Sequence, residues 1–272
     1  MVYAVKKFYE KHKDDIFYAF AGLVMWAFMM IVVYVVSLPR SISPATFNVP
    51  ILEFSEVVEG GVYDDTGNTV TSEMFRYQMK ALYDAKYDTV FFDDLVAYVE
   101  SGSSMSEKVV VVTLDTFNKD FETMVLPVLQ EFNLKLTVLL SDCSTVRAHE
   151  HPTAESYERI MSSGLVQVIC GDTTWRLNEE FELEKGTRMC RGLEYLGDGV
   201  PLCLRYRDGR HSVELDEKLR EDGVKCTVVD SGGISTLVKG DIESLFELER
   251  MGVAQKTAPV TLIKMCYTGK YK

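Results

Sequence analysis

The sequence predicts an α/β domain built on a parallel β-sheet and preceded by one transmembrane helix. Residues 16–36 form an uncharged apolar run. From residue 50 onward, short apolar segments alternate with amphipathic ones, which is the pattern of successive βα units. The run VVVVT at 109–113 is apolar on both faces, as a central strand of a parallel sheet must be. With 272 residues, 47% of them apolar, the chain is large enough for one sizeable core.

The run at 16–36 has the length of a membrane-spanning helix. At about 1.5 Å of rise per residue it spans the roughly 30 Å hydrocarbon core of a bilayer. Lys6, Lys7, Lys11 and Lys13 precede it, so the positive-inside rule predicts that residues 1–15 lie in the cytoplasm and that the rest lies outside. A cleaved signal peptide is the alternative. The run exceeds the usual ~7–15 apolar residues of such a peptide, and no small-residue cleavage site follows it.

Proline and charge distributions define the rest of the predicted organisation. The segment LPRSISPATFNVP is rich in proline and serine, so residues 37–49 are predicted to be a linker and residues 50–272 a single domain. The chain carries a net charge of −12, and residues 1–40 hold five Lys or Arg against three Asp or Glu. The remainder is therefore acidic and should repel nucleic acid, which excludes it as a partner.

The predicted elements follow one another as alternating strands and helices. The strands are predicted at 49–54, 89–92, 108–114, 134–140, 165–170, 201–206 and 225–230. The helices are predicted at 72–87, 93–102, 119–133, 156–164 and 213–223. Thr71 or Ser72 is a suitable N-cap with Glu73 in the first turn, and Gly223 is a suitable helix end.

Six cysteines occur without a C-x-x-C pair or a zinc-type spacing. Cys170 and Cys203 lie within apolar runs that are predicted strands. We therefore interpret the cysteines as small core residues in preference to disulfides, because a domain of this size does not need such cross-links.

The order of these segments resembles that of the polysaccharide deacetylases, the NodB-type carbohydrate esterases, over most of residues 50–255. The resemblance rests on MFRYQMKALYDAKYDTVFFDDL, LPVLQEFNLKLTVLL and LCLRYRDGR. It implies a distorted (β/α) barrel with its site at the C-terminal ends of the strands. Members of that family hydrolyse N-acetyl groups of cell-surface polysaccharides with a divalent metal, usually zinc, held by one Asp and two His.

This chain departs from the family's metal motifs. The family motif T-F-D-D-G corresponds to TLDTF at 113–117, so that Asp115 aligns with the catalytic base while Thr116 replaces the metal-binding Asp. Both histidines of the second motif are replaced, by Gly171 and Trp175. The family's late leucine-histidine motif corresponds at best to residues 262–264. The resemblance thus implies no bound metal and no cofactor.

These replacements predict a membrane-anchored, extracytoplasmic pseudoenzyme. Its partner would be a polysaccharide or a protein of the cell envelope, and Asp115 would be a relic held by loop amides. The alternative is an active deacetylase that binds zinc or another divalent metal through rearranged ligands, Asp115 and Asp172 among them.

Several other side chains are candidates for binding. By resemblance, Tyr206, Arg207 and Asp208 occupy the turn that lines the substrate groove. Arg205 and Arg207 there either bind an anionic glycan or pair with Asp115. Trp175 either fills the old pocket, which we favour, or offers its ring to a sugar. A new site would draw on Asp115, Asp172, Glu53, His149 and His151. We favour a simpler interpretation in which HEHP at 149–152 is a solvated loop.

Overall fold

A computed structural model describes most of the chain. The described residues are 6, 10–13, 20–30, 46–60, 67–140, 150–170, 175–177, 183–185, 200–206 and 212–270. The chain divides into two compact units, Met1–Pro44 and Ala45–Lys272.

The larger unit is built around a sheet of parallel strands. Its strands are β1 (Thr46–Val49), β2 (Ile51–Phe54), β3 (Glu56–Val58), β4 (Thr69–Thr71), β5 (Asp88–Thr89), β6 (Val109–Leu114), β7 (Leu136–Leu140), β8 (Val166–Cys170), β9 (Trp175–Leu177), β10 (Leu183–Lys185), β11 (Cys203–Arg205), β12 (Cys226–Val229), β13 (Ser235–Val238) and β14 (Leu248–Gly252). The main sheet has the order β11-β12-β14-β2-β6-β7-β8, with β5 added beside β6. Its neighbours pair in parallel, so that all these strands end at the same rim. The strands form a nearly closed parallel barrel, in which the parallel pairing is the one that the alternating pattern predicts and the barrel is the one that the resemblance implies.

Helices connect the strands and cover the sheet. They are α1 (Ser72–Asp84), α2 (Phe92–Ser101), α3 (Phe121–Met124), α4 (Leu126–Phe132), α5 (Ala154–Ser162), α6 (Val213–Glu221) and α7 (Pro259–Thr268), with a 3₁₀ turn at Ile242–Leu245. Thr71 caps α1 as predicted, since its hydroxyl accepts from the Met74 N–H at 3.2 Å. Gly223 follows α6 with a φ of +102°, a left-handed conformation that glycine adopts without strain.

Strand β6 shows how the core is organised. All six of its residues are buried, and alternate ones face two different apolar clusters. Val110, Val112 and Leu114 belong to the first cluster, while Val109 and Val111 belong to the second. Because side chains alternate along a strand, Thr113 and the following Asp115 continue the row of the second cluster. The charged Asp115 at the rim therefore lies directly beyond the apolar side chains of the second cluster.

The structure differs from the predicted boundaries in several places, and the strand predicted at 89–92 is limited to Asp88–Thr89, with Phe92 at the start of α2. Residues 46–49, assigned to the linker, form β1, which pairs antiparallel with β13. The helix predicted at 119–133 is divided at Val125, because Pro127 in the first turn of α4 lacks the N–H needed to continue a helix. Residues 262–264, the best counterpart of the late family motif, lie in the helix α7.

In the N-terminal unit, residues 20–30 are helical. Eight large apolar side chains between Phe20 and Met30 are each at least 51% exposed. Within the described residues, no helix is both long and apolar enough to span a bilayer. The remainder of the predicted span at 16–36 lies outside the described residues, and the anchor stays a prediction.

Candidate functional site

Asp115 follows β6 directly and lies at the rim of the barrel. Its backbone N–H donates to the Phe54 carbonyl at 2.9 Å, which continues the pairing of β6 with β2 for one more residue. Its carboxylate is only 11% exposed and accepts from two arginines. Arg250 Nη1 lies 2.7 Å from Oδ1, and Arg205 Nη1 lies 2.9 Å from Oδ2. The expectation that loop amides hold this carboxylate is therefore wrong, because arginines hold it.

Asp230 completes a closed ion network. It follows β12, and its Oδ1 accepts from Arg250 Nε at 2.9 Å and Nη2 at 2.8 Å. Its Oδ2 accepts from Arg205 Nε at 2.8 Å and Nη2 at 2.5 Å. Two arginines thus bridge two aspartates, and the four formal charges cancel.

Arg250 is the centre of this network. Its side chain is fully buried, and Nη1 also donates to Thr113 Oγ1 at 3.2 Å. Burial alone would lower the pKa of Arg250, but the charges of Asp115, Asp230 and Glu53 outweigh it and raise the pKa further. The guanidinium is therefore a permanent cation inside the barrel rim.

Glu53 is the third carboxylate near Arg250. It lies in β2, is 6% exposed and accepts from Asn68 Nδ2 at 3.1 Å. Burial raises the pKa of Glu53, and the charges of Asp115 and Asp230 add to this effect while Arg250 opposes it. Gly252 lies beside Glu53 in the register of β14 with β2, and a methyl group there would stand 2.3 Å from Asn68 Nδ2.

The residues at Asp115 do not suit a divalent cation. Both carboxylate oxygens already accept from guanidinium groups, and the buried charge of Arg250 would repel a second cation at this position. Thr116 offers only a hydroxyl where the family motif has a carboxylate. Over the part of the chain that the structure describes, no three His, Cys, Asp or Glu side chains converge in a way that could hold a metal ion.

Thr116, which follows Asp115 in the sequence, and His151, which contacts the Phe117 carbonyl, each carry a buried polar atom near this segment. His151 is 4% exposed, so the expectation that HEHP is a solvated loop is wrong for this residue. Its Nδ1 donates to the Phe117 carbonyl at 3.0 Å, which places the ring hydrogen on Nδ1. His151 Nε2 and Thr116 Oγ1 are both buried and lack a hydrogen-bond partner among the described residues.

Three of the remaining predicted residues lie within the described part of the chain. Arg205 pairs with Asp115, as one of the two expectations for it states. Tyr206 is 1% exposed and its hydroxyl donates to Asp216 of α6, so its predicted position in a substrate groove is corrected to one in the core. Trp175 begins β9, where its backbone pairs with Lys185, while its side chain lies outside the description.

Other predicted positions lie outside the described residues. These are His149, Gly171, Asp172, Arg207 and Asp208.

Sequence reasoning missed Asp230 as a site residue and missed Arg250 altogether. Asp230 ends the predicted strand KCTVVD, so its place at a strand end was available as a signal. Arg250 lies in LERMG, where two adjacent charged residues interrupt any apolar alternation. Such a segment has no strong strand pattern, and nothing local indicates that its arginine is buried.

The fold is that of the polysaccharide deacetylases. The deacetylase PplD of Streptococcus pyogenes, solved with acetate, is 16% identical, with a TM-score of 0.61 over 80% of this chain and 98% of that chain. A polysaccharide deacetylase of Bacillus cereus is 17% identical, with a TM-score of 0.60 over 80% and 69%. IcaB of Ammonifex degensii is 18% identical, with a TM-score of 0.56 over 80% and 96%. No family model and no curated protein matches the chain by sequence.

Proposed function

We propose that this chain is a membrane-anchored, extracytoplasmic pseudoenzyme with the polysaccharide deacetylase fold. It serves as a glycan-binding or partner-binding subunit in cell-envelope carbohydrate metabolism. The observation that carries the proposal is the pairing of Asp115 with Arg250 and Arg205 at the rim where the fold's catalytic site is expected.

Deacetylation requires two things that the described residues at this rim do not supply. A metal must polarise the acetyl carbonyl and lower the pKa of the attacking water, and a free carboxylate must take the proton of that water. A guanidinium has no open coordination position, so Arg250 cannot bind and activate water as a metal does. Asp115, with both oxygens accepting from arginines, is a poor acceptor for that proton.

The retained barrel fold supports a binding role. A barrel that has exchanged its metal ligands for an ion network retains the rim and its connecting loops, which in this architecture form ligand sites. Arg205 remains 29% exposed at that rim and can reach a ligand above the network. The exposed apolar side chains of residues 20–30 support the membrane anchor at 16–36, because a lipid environment would cover them.

One observation favours a second function, an active deacetylase with rearranged ligands. His151 Nε2 is buried and without a hydrogen-bond partner among the described residues, while Nδ1 is held by the Phe117 carbonyl, which is how a metal-binding imidazole is commonly oriented. It would have to act with donors other than the paired Asp115.

Metal content and acetate release separate the two functions. The full chain in detergent is loaded with zinc, dialysed and analysed for bound metal, and is then assayed for acetate release from N-acetylglucosamine oligomers. The pseudoenzyme should hold far less than one zinc per chain, release no acetate and still bind the oligomers or co-purify with an envelope protein. Stoichiometric zinc together with acetate release that a chelator and His151→Ala both abolish would refute the pseudoenzyme proposal.

The topology has its own test. A reporter fused after Lys272 should be accessible from outside the cell, and removal of residues 16–36 should release the protein from the membrane fraction. Cytoplasmic exposure of the reporter would overturn the extracytoplasmic assignment. Release of an otherwise normal protein by cleavage after the run would favour the signal-peptide alternative.

A further inference from the structure

Cys203 and Cys226 stand directly opposite each other in the main sheet. Cys203 begins β11 and Cys226 begins β12, and the two are Cα partners in the parallel register. Both side chains are fully buried and both are free thiols. Residues that pair across neighbouring strands project to the same face of the sheet, so the two thiols face each other.

The spacing suits a covalent bond. Neighbouring strands lie about 4.8 Å apart, within the ~4.4–6.8 Å between Cα atoms that a disulfide bridges. Cys266, the other free cysteine among the described residues, lies in α7 and packs in the other apolar cluster. It is therefore a matched comparison, a buried thiol without such a neighbour opposite it.

We propose that Cys203 and Cys226 form a reversible disulfide that joins β11 to β12. The oxidant is a disulfide, either a small molecule or a thiol–disulfide oxidoreductase. A thiolate of the pair attacks the oxidant's disulfide, and the second thiol then attacks the mixed disulfide. One S–S bond forms within the protein, two S–H bonds break, and the oxidant leaves as two thiols with both electrons and both protons.

Access to the thiols comes through the edge of the sheet. Strand β11 has three residues and is the terminal strand in the described sheet order, paired with β12 alone. Local opening of such an edge needs less free energy than global unfolding. Burial, together with the neighbouring Cys203 thiol, raises the pKa of Cys226, so the closed state holds an unreactive thiol and reaction follows opening.

The cross-link would act on the ion network through the backbone. Cys203 lies two residues before Arg205, and Cys226 lies four residues before Asp230. A bond between the first residues of β11 and β12 restrains the strands whose far ends carry the Arg205–Asp230 pair. The inference goes beyond the proposed function and does not rest on it. An extracytoplasmic location would supply an oxidising environment.

The test uses the full chain in detergent, first reduced and then equilibrated with oxidised glutathione under mild urea that opens the edge. Tryptic digestion without reduction should give one cross-linked species that joins residues 192–205 to residues 226–239. The midpoint of thermal unfolding should rise by roughly 5 °C or more and should return after reduction, because the bond restricts the unfolded chain.

Variants identify the pair. Cys226→Ala should lose both the cross-link and the rise in midpoint, while Cys266→Ala should retain both. If Cys226→Ala does not fold, the cross-linked peptide and the unfolding midpoint of the oxidised wild type still test the proposal. Absence of the cross-linked peptide, a bond from either cysteine to Cys143, Cys170 or Cys190 instead, or a lowered midpoint on oxidation would overturn the proposal.

Discussion

Arg250 Nη1 lies 2.7 Å from Asp115 Oδ1, although the two residues are 135 positions apart in the chain. Arg250 is buried completely, and Asp115 marks the rim of the barrel where chemistry is expected in this fold. The pair places the fixed positive charge of Arg250 next to Asp115, which the resemblance aligns with the family's catalytic base. The guanidinium of Arg250 is covalently part of the chain and cannot dissociate. A bound metal ion, in contrast, can exchange with ions in solution.

Removal of the buried charge should destabilise the domain strongly. Arg250→Met leaves Asp115 and Asp230 without their shared buried partner, and we expect the free energy of unfolding to fall by about 3–5 kcal/mol. Urea unfolding measures this loss. Arg205→Met is the matched control: Arg205 is 29% exposed, so water can replace it and the loss should be less than half as large. Equal losses in the two variants would contradict the central role of Arg250.

Stability should depend on pH through Glu53. Its pKa in the folded protein is raised above the ordinary 4.5 by burial. In the pH window between the ordinary pKa and the raised pKa, Glu53 binds its proton more tightly in the native state than in the unfolded chain. The free energy of unfolding should therefore fall as pH rises through this window.

Glu53→Gln should remove that component and be more stable than the wild type at neutral pH, because an amide carries no charge and still accepts from Asn68. Urea midpoints measured across the window check this. The exposed Glu59→Gln should keep the wild-type slope; a Glu53→Gln slope that equals the wild-type slope would count against the assignment.

Gly252 should not tolerate a side chain while Asn68 is present. A methyl group at this position would stand 2.3 Å from Asn68 Nδ2 and 2.6 Å from Asn68 Cγ, so Asn68 must leave Glu53. We expect Gly252→Ala to cost about 1–3 kcal/mol, as overpacking does. Asn68→Ala should recover much of this cost in the double variant, and simple additivity in the double-mutant cycle would exclude the contact as the cause.

The hydroxyl of Tyr206 should contribute to stability and not to glycan binding. It donates to Asp216, whose side chain is 5% exposed. Tyr206→Phe should lower the free energy of unfolding by about 1–3 kcal/mol, because a buried carboxylate loses a donor, and should leave oligomer binding unchanged.

Tyr267 provides the control for this substitution. It is 83% exposed, and Tyr267→Phe should change stability by less than about 0.5 kcal/mol. Weaker oligomer binding by Tyr206→Phe at unchanged stability would mean that Tyr206 contacts the glycan in the substrate groove.

Much of the fold follows from local patterns in the sequence. The continuous apolar run of β6 predicts a strand buried on both faces, and Thr71 before an amphipathic segment predicts the start of α1; both are found. These features depend on residues a few positions apart, because burial periodicity and capping are short-range effects. The position of Asp115 at the end of a central strand follows in the same way.

Only the tertiary structure decided what surrounds Asp115. The sequence alone determined a βα order and a strand-end carboxylate, and through the resemblance it predicted the loss of the family's metal ligands. Arg250 and Asp230 reach Asp115 because the sheet order places β12, β14 and β2 in succession next to β6, and that order is set by pairing between distant segments. The free energy of a buried ion pair depends on how its partners are arranged in space. No local pattern in LERMG carries that information.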